Sequence, residues 1–349
     1  MKQHVVIIGA GAVGCLSAIT LAEQGWQVTL IDQGHVGMES SWAGGGILLP
    51  LLPWHYRDPV NRLAMAGAAL YPMLAEKLLS NTGLDPQFRR CGMRILPPFD
   101  VAKALAWCAS YGFEAELDSQ GALWLPQVAQ TRNPRLMQAL RAQLAVSGVS
   151  LLENTQLTPL DTDAGRLTAW QDTTGHRHEA DAFVVTAGAW SQSLLGTHAL
   201  PLDMKPMRGQ MLLYRLPPDT LTHLIYREDF YLIPRLDGHL VAGSTVEDVG
   251  FDKSTTSAAA TALAAKAKAI MPELGDLPVI KHWSGLRPGS PDNIPVIDRH
   301  PAFDNLYLNT GHFRYGVTMA PASATLLAQC MQQGGLPPEA SAYACPAVG

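Results

Sequence analysis

The sequence predicts a two-domain protein of mixed α/β class, one domain on a parallel sheet and the other, discontinuous, on a mostly antiparallel sheet. Three observations carry that expectation. An apolar run, Val5 to Ile8, leads through the glycine-rich turn Gly9-Ala10-Gly11-Ala12-Val13-Gly14 into a helix-like segment ending near Gln24. Between Met204 and Ser284 the apolar residues fall into short β-type segments separated by turn signals. The length of 349 residues exceeds what one core comfortably fills.

The N-terminal stretch is the organising element. Val5 to Ile8 is uninterrupted and β-branched, as a strand buried on both faces requires. Val28 to Ile31 is a second strand, closed by Asp32 and Gln33. Strand, G-x-G-x-x-G turn, helix and second strand together make a Rossmann-like dinucleotide cradle. The first glycine allows the tight turn, the second lets backbone approach a pyrophosphate, and the third lets helix and strand pack closely. The helix N-terminus offers N–H groups and a positive dipole end to phosphate. Asp32 stands where a carboxylate ~20 residues beyond the glycines reaches a ribose diol. The cradle alone leaves NAD(P) and FAD both open.

Next comes Ser40-Ser41-Trp42-Ala43-Gly44-Gly45-Gly46, in which three glycines suggest backbone lying flat against a ligand. Asp58-Pro59 has the form of an N-cap with proline in the first turn, opening a long helix to about Leu79. Asn81 to Leu125 mixes short strands with a helix capped at Asp100. Asn133-Pro134 opens a helix to about Val146, and Val149 to Leu152 is a strand. Asp181 to Trp190 is a buried strand that breaks at Gly188 into a short helix, a return to the first domain.

In the second domain, Gln210 to Tyr214, Phe230 to Ile233 and Leu240 to Ala242 are strands, with Asp237-Gly238 turning between the last two. Ala258 to Ile270 is an alanine-rich packing helix. Asn305 to Asn309 then leads through Thr310-Gly311-His312-Phe313-Arg314-Tyr315-Gly316 into a helix from Val317 to Met331. The Pro- and Ala-rich residues after Gly334 are expected to fray.

Composition narrows the class. Apolar residues make up 47% and charged residues 16%, as in a globular enzyme, and a net charge of −5 gives no basic footprint for nucleic acid. The five cysteines are scattered without a C-x-x-C pair, as expected for reduced thiols in the cytoplasm. No apolar run of about 18 residues suggests a transmembrane helix, and no His, Asp and Cys set suggests a metal. His176 and His178 alternate on a polar strand. Trp54 and His55 line an entrance or simply pack.

Four segments, in order, resemble one family: the cradle, Ser41 to Gly46, the turn Leu286-Arg287-Pro288-Gly289, and Gly311 to Gly316. Together they are similar to the glycine oxidase and D-amino acid oxidase superfamily of FAD-dependent amine oxidases. The nearest likeness is to the glycine oxidases of thiamin biosynthesis, over residues 1 to about 331. The resemblance implies FAD rather than NAD. It also implies an FAD-binding domain of residues 1–80, 135–203 and 287–349, and a substrate domain of 81–134 and 204–286. Gly9, Gly11, Ala12, Val13, Gly14, Asp32 and Gln33 would hold the ADP half. Ser40, Ser41, Ala43, Gly44, Gly45 and Gly46 would pass the pyrophosphate and flank the flavin. Leu157, Ala187, Gly188 and Trp190 would lie near adenine. Arg287, Gly311, His312, Phe313, Arg314, Tyr315 and Gly316 would meet the flavin, with backbone N–H groups and a helix N-terminus at the edge that becomes anionic on reduction. No cysteine lies between Cys108 and Cys330, so covalent attachment after Arg287, as in sarcosine oxidases, is not expected and FAD is non-covalent.

The chemistry implied is hydride transfer from an amino acid Cα to flavin N5, with O2 reduced to H2O2. Arg287 matches the family's carboxylate-binding arginine, a task suited to a planar, permanently charged fork. Tyr231 matches the tyrosine whose hydroxyl shares that carboxylate, and Arg314 a second arginine at the cavity. Arg208 and Arg235 are expected to form structural pairs. Glycine, sarcosine, small D-amino acids and D-proline all fit such a clamp. The triple glycine and Trp42 stand in place of the family's more alanine-rich loop, the continuation Leu49 to Trp54 is also distinctive, and together they leave the choice among them open. The rival readings are a dehydrogenase passing electrons to a quinone or another acceptor, a flavoprotein acting on a partner protein, and an NAD(P) dehydrogenase. A homo-oligomer is expected, as is common for such enzymes.

Overall fold

The computed structural model describes residues 2–163 and 165–346. Among these, a six-stranded sheet runs in the order Val296–Arg299, Leu306–Thr310, Ala182–Val185, His4–Ile8, Gln27–Ile31, Ser150–Leu152. Its strands are parallel except the antiparallel edge strand Val296–Arg299. The apolar run of the first strand is explained by burial on both faces. Val5 and Ile7 enter the core beneath the helices Ala12–Glu23, Asp58–Thr82, Asn133–Val146 and Gly316–Gln333. Val6 and Ile8 enter a second core with Trp170, Phe183 and Val185.

The glycine turn after this strand is fixed by contact. Gly9 has φ +106°, and a Cβ there would meet the Thr186 carbonyl oxygen at 2.6 Å. A Cβ on Gly14 would overlap the Gly9 carbonyl oxygen, so the helix lies tight on the strand through this residue. Thr186 locks the turn by donating to the Gly9 carbonyl at 2.7 Å.

The second sheet among the described residues has nine strands. Lys205–Arg215 is central and pairs with both His239–Gly243 and Lys281–Gly289. Phe230–Pro234, Leu224–Arg227 and the short strands Met93–Ile95, Glu116–Leu117, Leu123–Leu125 and Glu247–Asp248 complete it. Alternation divides its faces. Met211, Tyr231, Ile233 and Val241 pack toward the Val101–Tyr111 helix, while Leu212, Tyr214, Leu232 and Leu240 pack toward Ser257–Ile270. Arg287 lies within the strand Lys281–Gly289, so the 286/287 division expected from sequence falls inside a strand.

Several local expectations are corrected. Asp58 does not cap its helix, because its carboxylate accepts from Tyr111 Oη and pairs with Arg62, both at 2.5 Å, and Arg57 occupies the cap. Residues 335–346 do not form the expected frayed tail. Ala340 and Tyr343 are buried in a 3₁₀ turn, and the Tyr343 hydroxyl donates to the Pro59 carbonyl at 2.7 Å. An aromatic anchor thus outweighs the Pro- and Ala-rich composition of the segment after Gly334, whose last residues, 347–349, lie outside the described residues. The strand read as polar buries His178, whose imidazole meets the buried Asp172 at 3.1 Å.

Candidate active site

The two sheets meet around one elongated cavity of about 300 Å³. Its far end is built by the glycine turn, Asp32, Gln33 and Leu157, and its near end by Tyr231, Ser244, Arg287 and Arg314. Gly9, Gly11, Ala12, Val13, Ser40, Ser41, Gly44, Gly45, Gly46, Ala187, Gly188, Trp190, Gly311, His312, Phe313, Tyr315 and Gly316 also line it. Two residues expected there do not. Gly14 is consumed by helix–strand packing. Ala43 is buried, its carbonyl accepting from Trp283 Nε1 at 3.0 Å.

Asp32 is anchored rather than free. One carboxylate oxygen accepts from Ala10 N–H at 2.7 Å and the other from Gly34 N–H at 2.8 Å. Burial holds its carboxyl above the ordinary range, with those two N–H groups opposing. The first helix does not present all its N–H groups, since Ala12 N–H is taken by Ser41 Oγ at 2.9 Å.

The triple glycine has a different cause from the one its sequence suggests. A Cβ on Gly45 would meet Ile233 at 2.5 Å, and on Gly44 Asn133 Nδ2 at 2.8 Å. Gly46 has φ +77° and would overlap the Thr131 carbonyl. These glycines let the loop close on protein behind it while still lining the cavity. Arg235 fastens the same loop. It is buried and donates to Gly45 O at 2.8 Å, Thr131 O at 3.0 Å and Gln130 Oε1 at 2.5 Å. No carboxylate pairs with it among the described residues, and burial lowers its guanidinium to about 9. The structural ion pair expected of Arg235 is therefore a set of bonds to neutral oxygens. Arg208 does pair, with Glu247 and Asp252, both at 2.7 Å.

At the near end the strand register brings distant residues together. Met207 lies opposite Arg287 on neighbouring strands, and the Arg287 side chain crosses Gly209, where any Cβ would overlap the guanidinium. Arg287 Nη2 donates to Ser244 Oγ at 2.8 Å and Nη1 to the Thr245 carbonyl at 3.1 Å. No carboxylate pairs with it among the described residues. Loss of water pushes the guanidinium below its usual value, the adjacent Tyr231 opposing and Arg314 reinforcing the shift. Arg314 lies over the Phe313 ring at 5.6 Å.

His312 is a buried neutral group, its Nε2 2.8 Å from Ser323 Oγ. Burial lowers its imidazole from 6.5 to about 3. The unfolded chain therefore binds a proton that the folded chain refuses between those values. This contribution to stability is whole above pH 6.5 and is lost as pH falls toward 3, by up to about 1.4 kcal/mol per pH unit. Urea midpoints measured from pH 7 to 5 should fall less steeply for His312→Gln than for the parent. Equal slopes would remove His312 as a source of acid sensitivity.

Sequence reasoning missed Ser244, Asp229, Asn133 and Thr186. Only the fold brings them to the cavity, and no local pattern marks them. The cavity fits a dinucleotide on its own features. It has a glycine turn that a Cβ would block and an anchored carboxylate. The Gly316–Gln333 helix begins at the wall without a side-chain cap. Asn133 and Asn309 add buried Oδ1 acceptors that lack a protein donor among the described residues.

Comparison with known proteins agrees. The sequence profile of the DAO family, described as FAD dependent oxidoreductase, matches residues 4–330. A glycine oxidase of Pseudomonas putida is 42% identical over 342 residues, covering 93% of each chain. Among solved structures, glycine oxidase from Geobacillus kaustophilus superposes with a TM-score of 0.91 at 24% identity, covering 100% of both chains. Iminodiacetate oxidase from Chelativorans sp. superposes with a TM-score of 0.86 at 25% identity, covering 98% of both.

Proposed function

The chain belongs to the DAO family of FAD-dependent oxidoreductases, and on that footing we propose that it oxidatively deaminates glycine or another small amino acid, gripped by its carboxylate at Arg287. The observation that carries this is a half-buried guanidinium lining the cavity, with no carboxylate partner among the described residues. A cation partly withdrawn from water is costly unless paired, and an incoming carboxylate supplies the pair.

Bound FAD supplies the two-electron oxidant that takes a hydride from the substrate Cα. Everything else falls to the protein. Arg287 offers two parallel N–H groups to the carboxylate, while Ser244 Oγ and the Thr245 carbonyl fix the plane of the fork. Tyr231, beside that guanidinium, donates its hydroxyl to the same carboxylate. Arg314 draws the anion toward the cavity. Asp32 would hold the ribose. Gly9 to Val13 with Ser41 would hold the pyrophosphate, Leu157 and Ala187 would lie at adenine, and Gly311 to Gly316 would lie at the flavin. His312, neutral and engaged with Ser323, orients that last turn and takes no proton. We assign the six-stranded sheet to the cofactor and the nine-stranded sheet to the substrate wall. FAD is non-covalent here, with no cysteine between Cys108 and Cys330 to hold it. O2 as acceptor, with H2O2, imino acid and then keto acid and ammonia as products, completes the reading. The five free thiols fit a reducing compartment such as the cytoplasm.

The purified protein, mixed without air with glycine, sarcosine, D-alanine or D-proline, should lose its visible flavin band, and admitting air should restore it with release of H2O2. Bleaching without recovery would replace O2 by another acceptor. A flavin that none of the four bleaches would overturn the small-amino-acid assignment.

A further inference from the structure

We propose that Asp229 sets the charge class of the substrate: the site accepts amino acids whose only anion is the carboxylate held at Arg287, and it disfavours amines carrying a second carboxylate. The proposal rests on the reading of Arg287 given above. Asp229 occupies the tight turn between the strands Leu224–Arg227 and Phe230–Pro234, next to Glu228 with its φ of +55°. It lies two residues before Tyr231 and lines the same cavity as Tyr231, Ser244, Arg287 and Arg314.

The cavity lining holds two other acids, and each has a partner. Asp32 accepts from Ala10 and Gly34, and Glu39 pairs with Lys253 at 2.8 Å. Asp229 makes no ion pair and no side-chain hydrogen bond among the described residues, and it is exposed. It shares its surroundings with Arg314, and the cavity lining with both arginines. The buried Tyr226 hydroxyl, raised first by burial, is pushed further up by Asp229, Tyr56 and Tyr231 and drawn back by Arg314. These groups therefore converge on one region.

An unpartnered carboxylate there subtracts from the field of Arg287 and Arg314 and leaves room for a single added anion. A small zwitterion places its carboxylate on Arg287 and turns its amine-bearing end toward the remaining space, where a negative neighbour is tolerated. A second carboxylate extending beyond the amine meets like charge in a half-enclosed site. At separations of several ångströms and an effective dielectric of ~20–40, that repulsion lowers affinity by on the order of tenfold. Iminodiacetate is glycine with a second carboxymethyl group on nitrogen. The oxidase named for that compound shares this fold, so the architecture itself does not exclude dicarboxylates. The discrimination falls to individual side chains of the wall.

The test compares holoenzymes of the parent, Asp229→Asn and Asp229→Glu, with Asp229→Ser as a second neutral variant. Two ratios are measured: malonate to acetate affinity, from perturbation of the bound flavin spectrum, and iminodiacetate to glycine kcat/KM. Both should rise on the order of tenfold in the neutral variants and stay near the parent in Asp229→Glu, and the rise should shrink at high ionic strength. Unchanged ratios in the neutral variants would overturn the proposal. So would an equal rise in Asp229→Glu, which would make space rather than charge the cause. If the parent oxidises neither amine, the oxidase reading fails, and the malonate to acetate ratio still decides the role of Asp229.

Discussion

Arg287→Ala is expected to lower kcat/KM for the amino acid substrate by about 2–4 kcal/mol, roughly 30- to 1000-fold, while the protein keeps its FAD. The size follows from the geometry. The guanidinium lies across Gly209, the one residue type that leaves it room, and is aimed by Ser244 Oγ and the Thr245 carbonyl. Those partners are neutral and leave its charge for a ligand. Truncation removes the only group proposed to make two parallel bonds to the carboxylate, and with it the orientation of Cα. Arg287→Lys should recover part of the loss, because an ammonium keeps the charge but not the fork. Flavin absorbance of the purified variants separates loss of the clamp from loss of the cofactor. A kcat/KM within threefold of the parent in Arg287→Ala would remove this residue as the anchor.

What the sequence made legible follows a physical rule. Gly9 and Gly14 are visible because steric demand at a tight turn selects the residue type itself, and strand, turn and helix are contiguous. The two-sided burial of Val5 to Ile8 is visible for the same reason, since it shows as an unbroken apolar run. Arg287 and Tyr231 could be singled out only through resemblance, because what brings them together is register between strands far apart in the chain. Ser244 and Asp229 had no such marker. The triple glycine was visible as a signal but not as a cause: its close neighbours, Ile233, Asn133 and Thr131, come from other elements. Arg235 escaped in the same way, since its acceptors are backbone carbonyls and an amide, which composition does not reveal. The tail was misread because one tyrosine, Tyr343, outweighs the Pro- and Ala-rich residues around it.

Asp32→Ala is expected to weaken FAD binding by 100-fold or more, an order-of-magnitude figure built from two losses. A carboxylate acceptor for ribose hydroxyls contributes about 1.5–3 kcal/mol as a charge-assisted bond. The Ala10 and Gly34 N–H groups also lose their acceptor, at about 1–3 kcal/mol for a buried donor left unmade. The second loss deforms the turns at the ends of the first two strands, where the cradle is shaped. Asp32→Asn separates the two, because its amide oxygen still accepts from one N–H while the charge is gone. If Asp32 acts on the ribose through its charge, Asn should stand near Ala in the FAD dissociation constant, measured by titrating apoprotein and following flavin fluorescence. If it acts by holding the turns, Asn should stand nearer the parent in that constant and in thermal stability of the apoprotein. A dissociation constant unchanged in both variants would place the ribose elsewhere and leave Asp32 a purely structural link between the turns it joins.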